Sequence, residues 1–205
     1  MSRERGTRLP GCDASASIVG ARARALGYAS ALTRRPEEPA LIQIGQKLPD
    51  ATLKEFIDAE TPGCSLGPNE FRVADLVRGK KIVVFGLPGA FTPTCSAKHV
   101  PGYVEQAAAL RARGVDEIWC VSVNDAFVMG AWGREQRSLG KVRMMADGGA
   151  QLTRALGLDQ EIPGMGTRSK RYAMLVEDGV VKTLDVEAPG KFEVSDAGSM
   201  LRRLG

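Results

Sequence analysis

The sequence predicts an α/β fold in which helices flank a central mixed sheet, and two observations support this prediction. Short apolar runs typical of buried strands alternate with helical segments through the middle of the chain. A hairpin pattern around Asp178-Gly179 and a final helix follow, which adds antiparallel strands to the sheet. The 205 residues suffice for one buried core, and we expect a single domain over residues 41–205.

The elements before the first long helix are predicted from short apolar runs and turn residues. Short strands are expected at 41–44 and 51–57, followed by a Gly/Pro-rich turn at 62–68 and a short helix at 72–78. The continuous apolar run Lys81–Leu87 (KIVVFGL) predicts a central strand that is buried on both faces.

The second half of the predicted domain begins with a helix from about Thr94 to Arg113. The apolar run at 117–123 (EIWCVSV) predicts a second buried strand. The same patterns then predict a helix at 125–139, a strand at 142–146, a helix at 149–157, two hairpin strands at 171–177 and 180–186, and a last helix at 195–204.

Residues 1–40 differ in composition from the rest of the chain. They carry seven arginines and four acidic residues, so most of the formal net charge of +4 belongs to them. We expect a disordered arm or an upstream start, with an organelle-targeting segment as the alternative. The rest of the chain has no basic excess for nucleic acid and no apolar run of about 20 residues for a membrane. A cytoplasmic location is expected, or a mitochondrion or plastid if this segment is a transit peptide.

The four cysteines, Cys12, Cys64, Cys95 and Cys120, are widely spaced and form no Cys-x-x-Cys pair. With one histidine in the chain, this pattern fits neither a disulfide scaffold nor a structural zinc site. We therefore expect reduced thiols, no bound metal and no cofactor.

Cys95 lies at the start of a predicted helix. Pro88-Gly89 ends the preceding strand, Thr92 suits the N-cap position, and Pro93 suits the first helical turn. Free backbone N–H groups and the helix dipole favour a thiolate there. Cys95 is thus predicted to be a nucleophile at the carboxyl end of a buried strand, where α/β folds place their chemistry. A small core residue is the alternative.

His99 follows Cys95 by four residues and so shares its helix face. A cysteine–histidine pair and a metal ligand are both conceivable for that spacing. Because the spacing suggests no further ligands, a packing or helix-surface role is the favoured interpretation.

Three blocks of sequence resemble the peroxiredoxins. Pro88-x-x-x-Thr92-x-x-Cys95 resembles the active-site signature of that family. PGAFTPTCSAKHVPGYVEQ, VSVNDAFVMGAW and RSKRYAMLVEDGVVKTLDVE resemble the type II, or five-type, branch, over roughly residues 41–204. The resemblance implies a thioredoxin-like fold and thiol-dependent reduction of hydrogen peroxide and organic hydroperoxides.

The resemblance also implies roles for individual residues. Cys95 would be the peroxidatic nucleophile that becomes a sulfenic acid. Thr92 would orient the thiolate and the peroxide, and Pro88 would shield the sulfur from water. Arg171 matches the family's arginine, which favours the thiolate and holds the peroxide oxygens. The nearby Arg168 and Lys170 are expected to be solvated surface charges.

The route by which the sulfenic acid is reduced stays open. One sub-branch has a resolving cysteine near the C-terminus, where this chain has Ser195. Another has it 25 residues after the first, which is the position of Cys120. Since Cys120 lies in a buried strand pattern, structural and redox roles are equally compatible with it, and Cys64 matches no known motif.

Reduction by glutathione or a glutaredoxin is therefore expected, and a Cys95–Cys120 disulfide reduced by thioredoxin is the alternative. A non-enzymatic chaperone or interaction protein is a further alternative. The resemblance also implies a homodimer, to which Pro88, Phe91 and Trp132 would contribute.

Overall fold

The computed structural model describes residues 40–58 and 65–205, and its main element is a seven-stranded sheet with helices on both faces. The strands are β1 (Thr52–Ile57), β2 (Gly67–Arg72), β3 (Lys81–Leu87), β4 (Glu117–Ser122), β5 (Arg143–Ala146), β6 (Asp159–Ile162), β7 (Gly166–Ser169), β8 (Tyr172–Glu177) and β9 (Val180–Val186). The helices are α1 (Val73–Leu76), α2 (Val100–Ala112), α3 (Ala126–Glu135), α4 (Gln151–Ala155) and α5 (Ala197–Leu204), and a π-helical turn, Cys95–His99, leads directly into α2.

The sheet is mixed, as predicted. Its strand order is β2-β1-β5-β4-β3-β8-β9, and β6 and β7 form a separate hairpin. The three central strands β5, β4 and β3 run parallel, whereas β1, β2, β8 and β9 add antiparallel pairs at the two sides. The predicted α/β class with a central mixed sheet flanked by helices is confirmed.

Strand β3 joins the two cores of the domain because its side chains alternate between the two faces of the sheet. Val83, Phe85 and Leu87 belong to the core that contains buried residues of α2, α3 and α5. Ile82 and Val84 belong to the core that contains buried residues of α1 and α4. The predicted central strand over Lys81–Leu87 is thus correct, and its carboxyl end leads into the loop that carries the predicted nucleophile.

The hairpin β8–β9 turns where the sequence predicted it. Asp178 and Gly179 both have positive φ, at 45° and 77°, which a two-residue hairpin turn of this hand requires. Helix α3 begins after Asp125, whose carboxylate accepts a hydrogen bond from the N–H of Val128 at 2.9 Å. The final helix begins in the same way after Asp196.

Other expectations for the elements were wrong. Residues 41–44 form no strand; the N–H of Ile42 donates to the carbonyl of Leu156 instead, at 2.9 Å. Strand β2 begins at Gly67, inside the predicted turn at 62–68, and residues 62–64 of that turn lie outside the described part of the chain. The β6–β7 hairpin was not predicted, since its residues are mostly polar. The helix predicted from Thr94 opens with a π-helical turn.

Within the described ranges, the structure contains no helix that is long and apolar enough to cross a membrane. Residues 1–39, with Cys12, and residue Cys64 lie outside those ranges. The predicted arm and the domain boundary near residue 41 therefore stay predictions.

Candidate active site

Cys95 is the first residue of the π-helical turn, and its side chain is fully buried. The turn begins directly after the β3 loop, where the N–H of Ser96 donates to the carbonyl of Thr92 at 3.0 Å. Single π-helical turns of this kind occur frequently at functional sites. The predicted position of Cys95, in the first helical turn beyond the carboxyl end of β3, matches the structure.

Arg171 contacts the sulfur of Cys95. The β3–β8 pairing aligns Gly86 with Tyr172, which places Arg171, the residue before β8, opposite Leu87 and beside the loop that follows it. Its Nη2 lies 3.4 Å from Cys95 Sγ, within hydrogen-bonding distance for sulfur. The structure therefore brings together two residues that are 76 positions apart in the sequence.

The rest of the Arg171 guanidinium is held by two aromatic side chains. Nη1 lies 2.9 Å from Nδ1 of His99, and the guanidinium carbon lies 5.5 Å from the ring centroid of Phe192. The guanidinium therefore has a hydrogen-bond partner on one terminal nitrogen while the other faces the sulfur.

His99 is fully buried and neutral. Burial, followed by the positive charge of Arg171, lowers the pKa of His99 to about 3. Because an arginine N–H can only donate, Nδ1 is the acceptor, so Nε2 carries the proton and donates to the carbonyl of Ser195 at 3.1 Å. The helix-surface interpretation of His99 was wrong, and the packing interpretation was right but omitted these bonds.

A loop held by the buried residues Glu187 and Ser195 anchors the far side of this network. The carbonyl of Ser195 also accepts a hydrogen bond from Tyr103 Oη at 3.0 Å. Glu187 Oε1 accepts four hydrogen bonds, from the N–H groups of Glu193, Val194 and Ser195 and from Ser195 Oγ, at 2.7–2.9 Å. Burial raises the pKa of Glu187, but these hydrogen bonds outweigh it, so the pKa is lowered overall. Ser195, expected where a resolving cysteine would lie, is thus part of a buried hydrogen-bonded structure.

Thr92 and Pro88 lie in the loop between β3 and the π-helical turn. Thr92 Oγ1 donates to the carbonyl of Gly89 at 2.9 Å, so the predicted N-cap bond from its side chain is not formed. The N–H of Ala90 donates to Asn124 Oδ1 at 3.0 Å, which ties the loop to the end of β4. Pro88 borders a cavity that Arg171 also lines.

The neighbouring cations do not behave as solvated surface charges. Arg168 is half-buried and donates to the carbonyls of Val123, at 2.8 Å, and Met165, at 3.1 Å. Lys170 is also half-buried, and its Nζ lies 3.3 Å from the carbonyl of Gly157. Of the three basic side chains in this segment, the described hydrogen bonds to Cys95 come from Arg171.

Cys120 lies on β4 and faces the same core as Cys95. It is fully buried, and its strand pairs on one side with Phe85 of β3 and on the other with Met144 of β5. Burial, with a smaller contribution from the nearby Cys95, raises the pKa of the Cys120 thiol well above its ordinary value. The buried position predicted from its strand pattern is correct.

Two aromatic residues lie beside the β3 loop. Phe91 is 51% exposed and has a φ of 60°, a left-handed conformation that is uncommon for a bulky residue. Trp132 is buried, and its Nε1 donates to Ser96 Oγ at 3.1 Å, next to Cys95. The ring centroids of Phe91 and Trp132 are 6.2 Å apart.

Residues 43–201 match the Redoxin family. Peroxiredoxin-2E-2, chloroplastic, from Oryza sativa subsp. japonica is 50% identical over 80% of this chain and 73% of its own length. The solved structure of reduced Prx3 from Vibrio vulnificus in complex with H2O2 is 49% identical, covers 80% of this chain and 100% of that chain, and superposes with a TM-score of 0.75.

A Burkholderia cenocepacia structure that is provisionally described as a thioredoxin reductase is also similar. It is 68% identical, covers 80% of this chain and 98% of that chain, and has a TM-score of 0.79. Reduction of disulfides commonly uses a Cys-x-x-Cys pair, and the present sequence contains none. A buried thiol sulfur beside a fixed guanidinium suits nucleophilic attack on a small, oxygen-containing substrate instead.

Proposed function

The chain belongs to the peroxiredoxin family and is a peroxidase, and from this premise we propose that Cys95 is its peroxidatic nucleophile. The observation that carries the proposal is the 3.4 Å contact between Arg171 Nη2 and the buried Cys95 Sγ. Hydrogen peroxide and organic hydroperoxides are the proposed substrates.

In the proposed first step, the Cys95 thiolate attacks one oxygen of the peroxide. A sulfur–oxygen bond forms, the oxygen–oxygen bond breaks, and the leaving oxygen takes a proton to become water or an alcohol. Arg171 donates hydrogen bonds to the oxygens as negative charge moves onto the leaving one. Thr92 Oγ1, whose hydrogen points to Gly89, offers its lone pairs to the peroxide O–H, and Pro88 keeps bulk water from the sulfur.

In the proposed second step, an external thiol reduces the sulfenic acid. Glutathione attacks the sulfur of Cys95 to form a mixed disulfide and water, and a glutaredoxin or a second glutathione releases the Cys95 thiol. The burial of Cys120 within the sheet supports this one-cysteine cycle. A Cys95–Cys120 disulfide reduced by thioredoxin is the second candidate, and it is supported by the position of both side chains in the same core.

Consumption of peroxide by the purified, reduced protein tests the first step. Cys95→Ser is expected to abolish consumption, whereas Cys120→Ser, the matched control, is expected to keep the single turnover. Substantial consumption by Cys95→Ser would overturn the assignment. The alternative of a non-enzymatic chaperone finds no support, since the relatives at this identity are peroxidases.

The proposed assembly is a homodimer formed through the face that carries Pro88 and Phe91; Trp132, expected to contribute, is fully buried within the chain and supports that face only through its contact with Phe91. The 51% exposure of Phe91 supports this proposal, because a large apolar side chain at the surface is suited to burial against a partner. The location is tied to residues 1–40. A chloroplastic relative favours the plastid among the organelle alternatives, and the cytoplasm stays the prediction if this segment is not a transit peptide.

A further inference from the structure

We propose that a cavity beside Arg171 is a binding site for glutathione, which this structure would recognise through its carboxylates; the inference rests on the proposed glutathione-dependent cycle. The cavity has a volume of about 410 Å³, within the range of about 300–1,000 Å³ for small-molecule sites. Its lining includes Thr94, Lys170, Arg171, Glu187 and Lys191.

The charges that line this cavity suit glutathione. Lys170, Arg171 and Lys191 are cations, and Glu187 is the one carboxylate among the lining residues. Glutathione carries two carboxylates, one ammonium group and a thiol. Lys170 and Lys191 match the two carboxylates, and the second oxygen of Glu187, whose Oε1 is already occupied, matches the ammonium group.

The partners that these lysines already have are weak competitors. Lys191 forms an ion pair with Glu193 at 3.3 Å, but both side chains are more than half exposed, so the pair contributes little. Lys170 Nζ lies 3.3 Å from the carbonyl of Gly157, a neutral acceptor that leaves its charge without a counterion there. Both ammonium groups can therefore turn toward an anionic ligand.

Two other cavities in the described part of the chain differ in charge. One of 690 Å³ is lined by Lys54 and by three carboxylates, Glu70, Asp125 and Asp147, so it repels a dicarboxylate. The other, of 380 Å³, is lined by four cations and three carboxylates, and two of those cations are already paired: Arg143 with Glu55 and Glu117, and Arg134 with Asp58.

The cavity beside Arg171 is also next to the reactive sulfur. Arg171 lines it while its Nη2 contacts Cys95 Sγ, and Thr94 is the residue directly before Cys95. Because Cys95 is fully buried, the bond between the two sulfurs forms once the π-helical turn moves toward the cavity. The glutathione thiolate then attacks the sulfenic sulfur, the S–S bond forms, and the S–O bond breaks to release water.

The test uses the sulfenic acid of the full-length protein, formed with one equivalent of hydrogen peroxide. Glutathione is added at increasing concentration, and mass spectrometry follows the mixed disulfide with time. We expect a saturating dependence, with half-saturation at a concentration roughly three- to tenfold higher in Lys170→Gln and Lys191→Gln and higher still in the double variant. Lys182→Gln, an exposed lysine of β9 outside the cavity, is the matched control and should behave as wild type.

A thiol without carboxylates distinguishes recognition of glutathione by the lysines from access of any thiol to the sulfur of Cys95. 2-Mercaptoethanol has no carboxylate, so the ratio of its rate to that of glutathione should rise in the double variant, and high salt should raise that ratio for the wild type. Equal slowing with both thiols would overturn the inference, as would unaltered glutathione kinetics in the double variant. Failure of the wild-type sulfenic acid to react with glutathione would overturn the proposed cycle together with the inference, while leaving the peroxidase step intact.

Discussion

Arg171 Nη1 lies 2.9 Å from Nδ1 of His99, while Nη2 of the same guanidinium lies 3.4 Å from the sulfur of Cys95. His99 is fully buried and Arg171 is partly buried, and His99 is in turn held through Nε2 by the carbonyl of Ser195. Because neutral His99 carries no negative charge, it accepts a hydrogen bond from Arg171 without offsetting the positive charge beside the sulfur. Two hydrogen bonds in series, from His99 to Ser195 and from Arg171 to His99, therefore orient the donor that faces the reacting sulfur.

Arg171→Lys tests whether this geometry matters beyond charge. Lysine keeps the positive charge but loses the planar pair of terminal nitrogens that contacts His99 and Cys95 together. We expect the rate constant for reaction with hydrogen peroxide to fall by about 10²-fold, the size of the effect when one positioned donor is removed. Stopped-flow measurement of single-turnover peroxide consumption gives the value. A rate near that of wild type would contradict the proposed role of Arg171.

His99 is expected to act as a positioning residue, through Arg171. His99→Phe removes the acceptor while keeping a ring among Phe85, Tyr103 and Phe192, and we expect the peroxide rate constant to fall by roughly tenfold. His99→Asn, whose side-chain oxygen can accept from Arg171, should recover most of the loss. Equal rates in the two variants would show that the ring contributes packing alone.

The buried neutral state of His99 predicts a loss of stability in mild acid. Its pKa is about 3 in the folded protein and about 6.5 in the unfolded chain, so the unfolded chain binds more protons between these values. The free energy of unfolding should therefore be highest above about pH 6.5 and should decrease by about 1.4 kcal/mol per pH unit below it. His99 is the one histidine of the chain, so other histidines do not contribute to the decrease.

Urea unfolding between about pH 7 and about pH 5 measures this decrease, above the range in which ordinary carboxyl groups titrate. His99→Asn does not titrate, and its free energy of unfolding should vary less with pH than that of wild type. Parallel curves for the two proteins would contradict the prediction.

Gly86 is required by the close approach of β3 to the ring of Tyr172. A Cβ at this position would lie 2.0 Å from Tyr172 Cε1, and the ring is fully buried. Gly86→Ala is therefore expected to reduce the free energy of unfolding by about 3 kcal/mol. Gly102→Ala, in α2 with open space around its Cβ position, is the control and should stabilise the protein by about 0.5–1 kcal/mol. Similar midpoints in urea for the two variants would refute this account.

The sequence was informative where the pattern is local. The apolar run Lys81–Leu87 predicted strand β3, and Asp178 and Gly179 predicted the β8–β9 turn; the structure contains both. Strand β2 (GPNEFR) and the β6–β7 hairpin were missed, because they are polar and form through pairing with a neighbouring strand. These strands form because they pair with neighbouring strands, and the propensities of their own residues do not predict that pairing.

The features of the site also divide into those predicted by local sequence and those that depend on distant contacts. The helix-start signals around Cys95 are local and correctly predict its place in the first helical turn, although Thr92 does not form the predicted cap bond, and the resemblance supplied Arg171. The contacts of His99 join residues 72 and 96 positions apart, so they depend on the β3–β8 register and on the loop before α5. The i+4 spacing of Cys95 and His99 was the available signal, since it places both side chains on one helix face.

The last prediction concerns Cys120 and the reduction of the sulfenic acid. For a Cys95–Cys120 disulfide, Cys120 would have to leave β4, where its strand pairs with both β3 and β5, and the two Cα atoms must come within about 7 Å. Leaving the strand would break sheet hydrogen bonds and expose apolar surface, which costs several kcal/mol, about 1 kcal/mol per hydrogen bond alone. Burial also raises the pKa of the Cys120 thiol, so the thiolate that would attack is scarce.

An external thiol avoids both costs, so Cys120→Ser is expected to keep turnover with glutathione and glutaredoxin within about twofold of wild type, a change of less than 0.5 kcal/mol. Steady-state peroxide consumption is measured with each reductant separately. Any turnover that thioredoxin supports in the wild type should disappear in Cys120→Ser, because that route needs the second cysteine. Ser122→Ala, a buried substitution two residues further along β4, controls for disturbance of the strand. Loss of the glutathione-supported turnover in Cys120→Ser, with Ser122→Ala still active, would show that Cys120 is the resolving residue and that the cycle uses two cysteines.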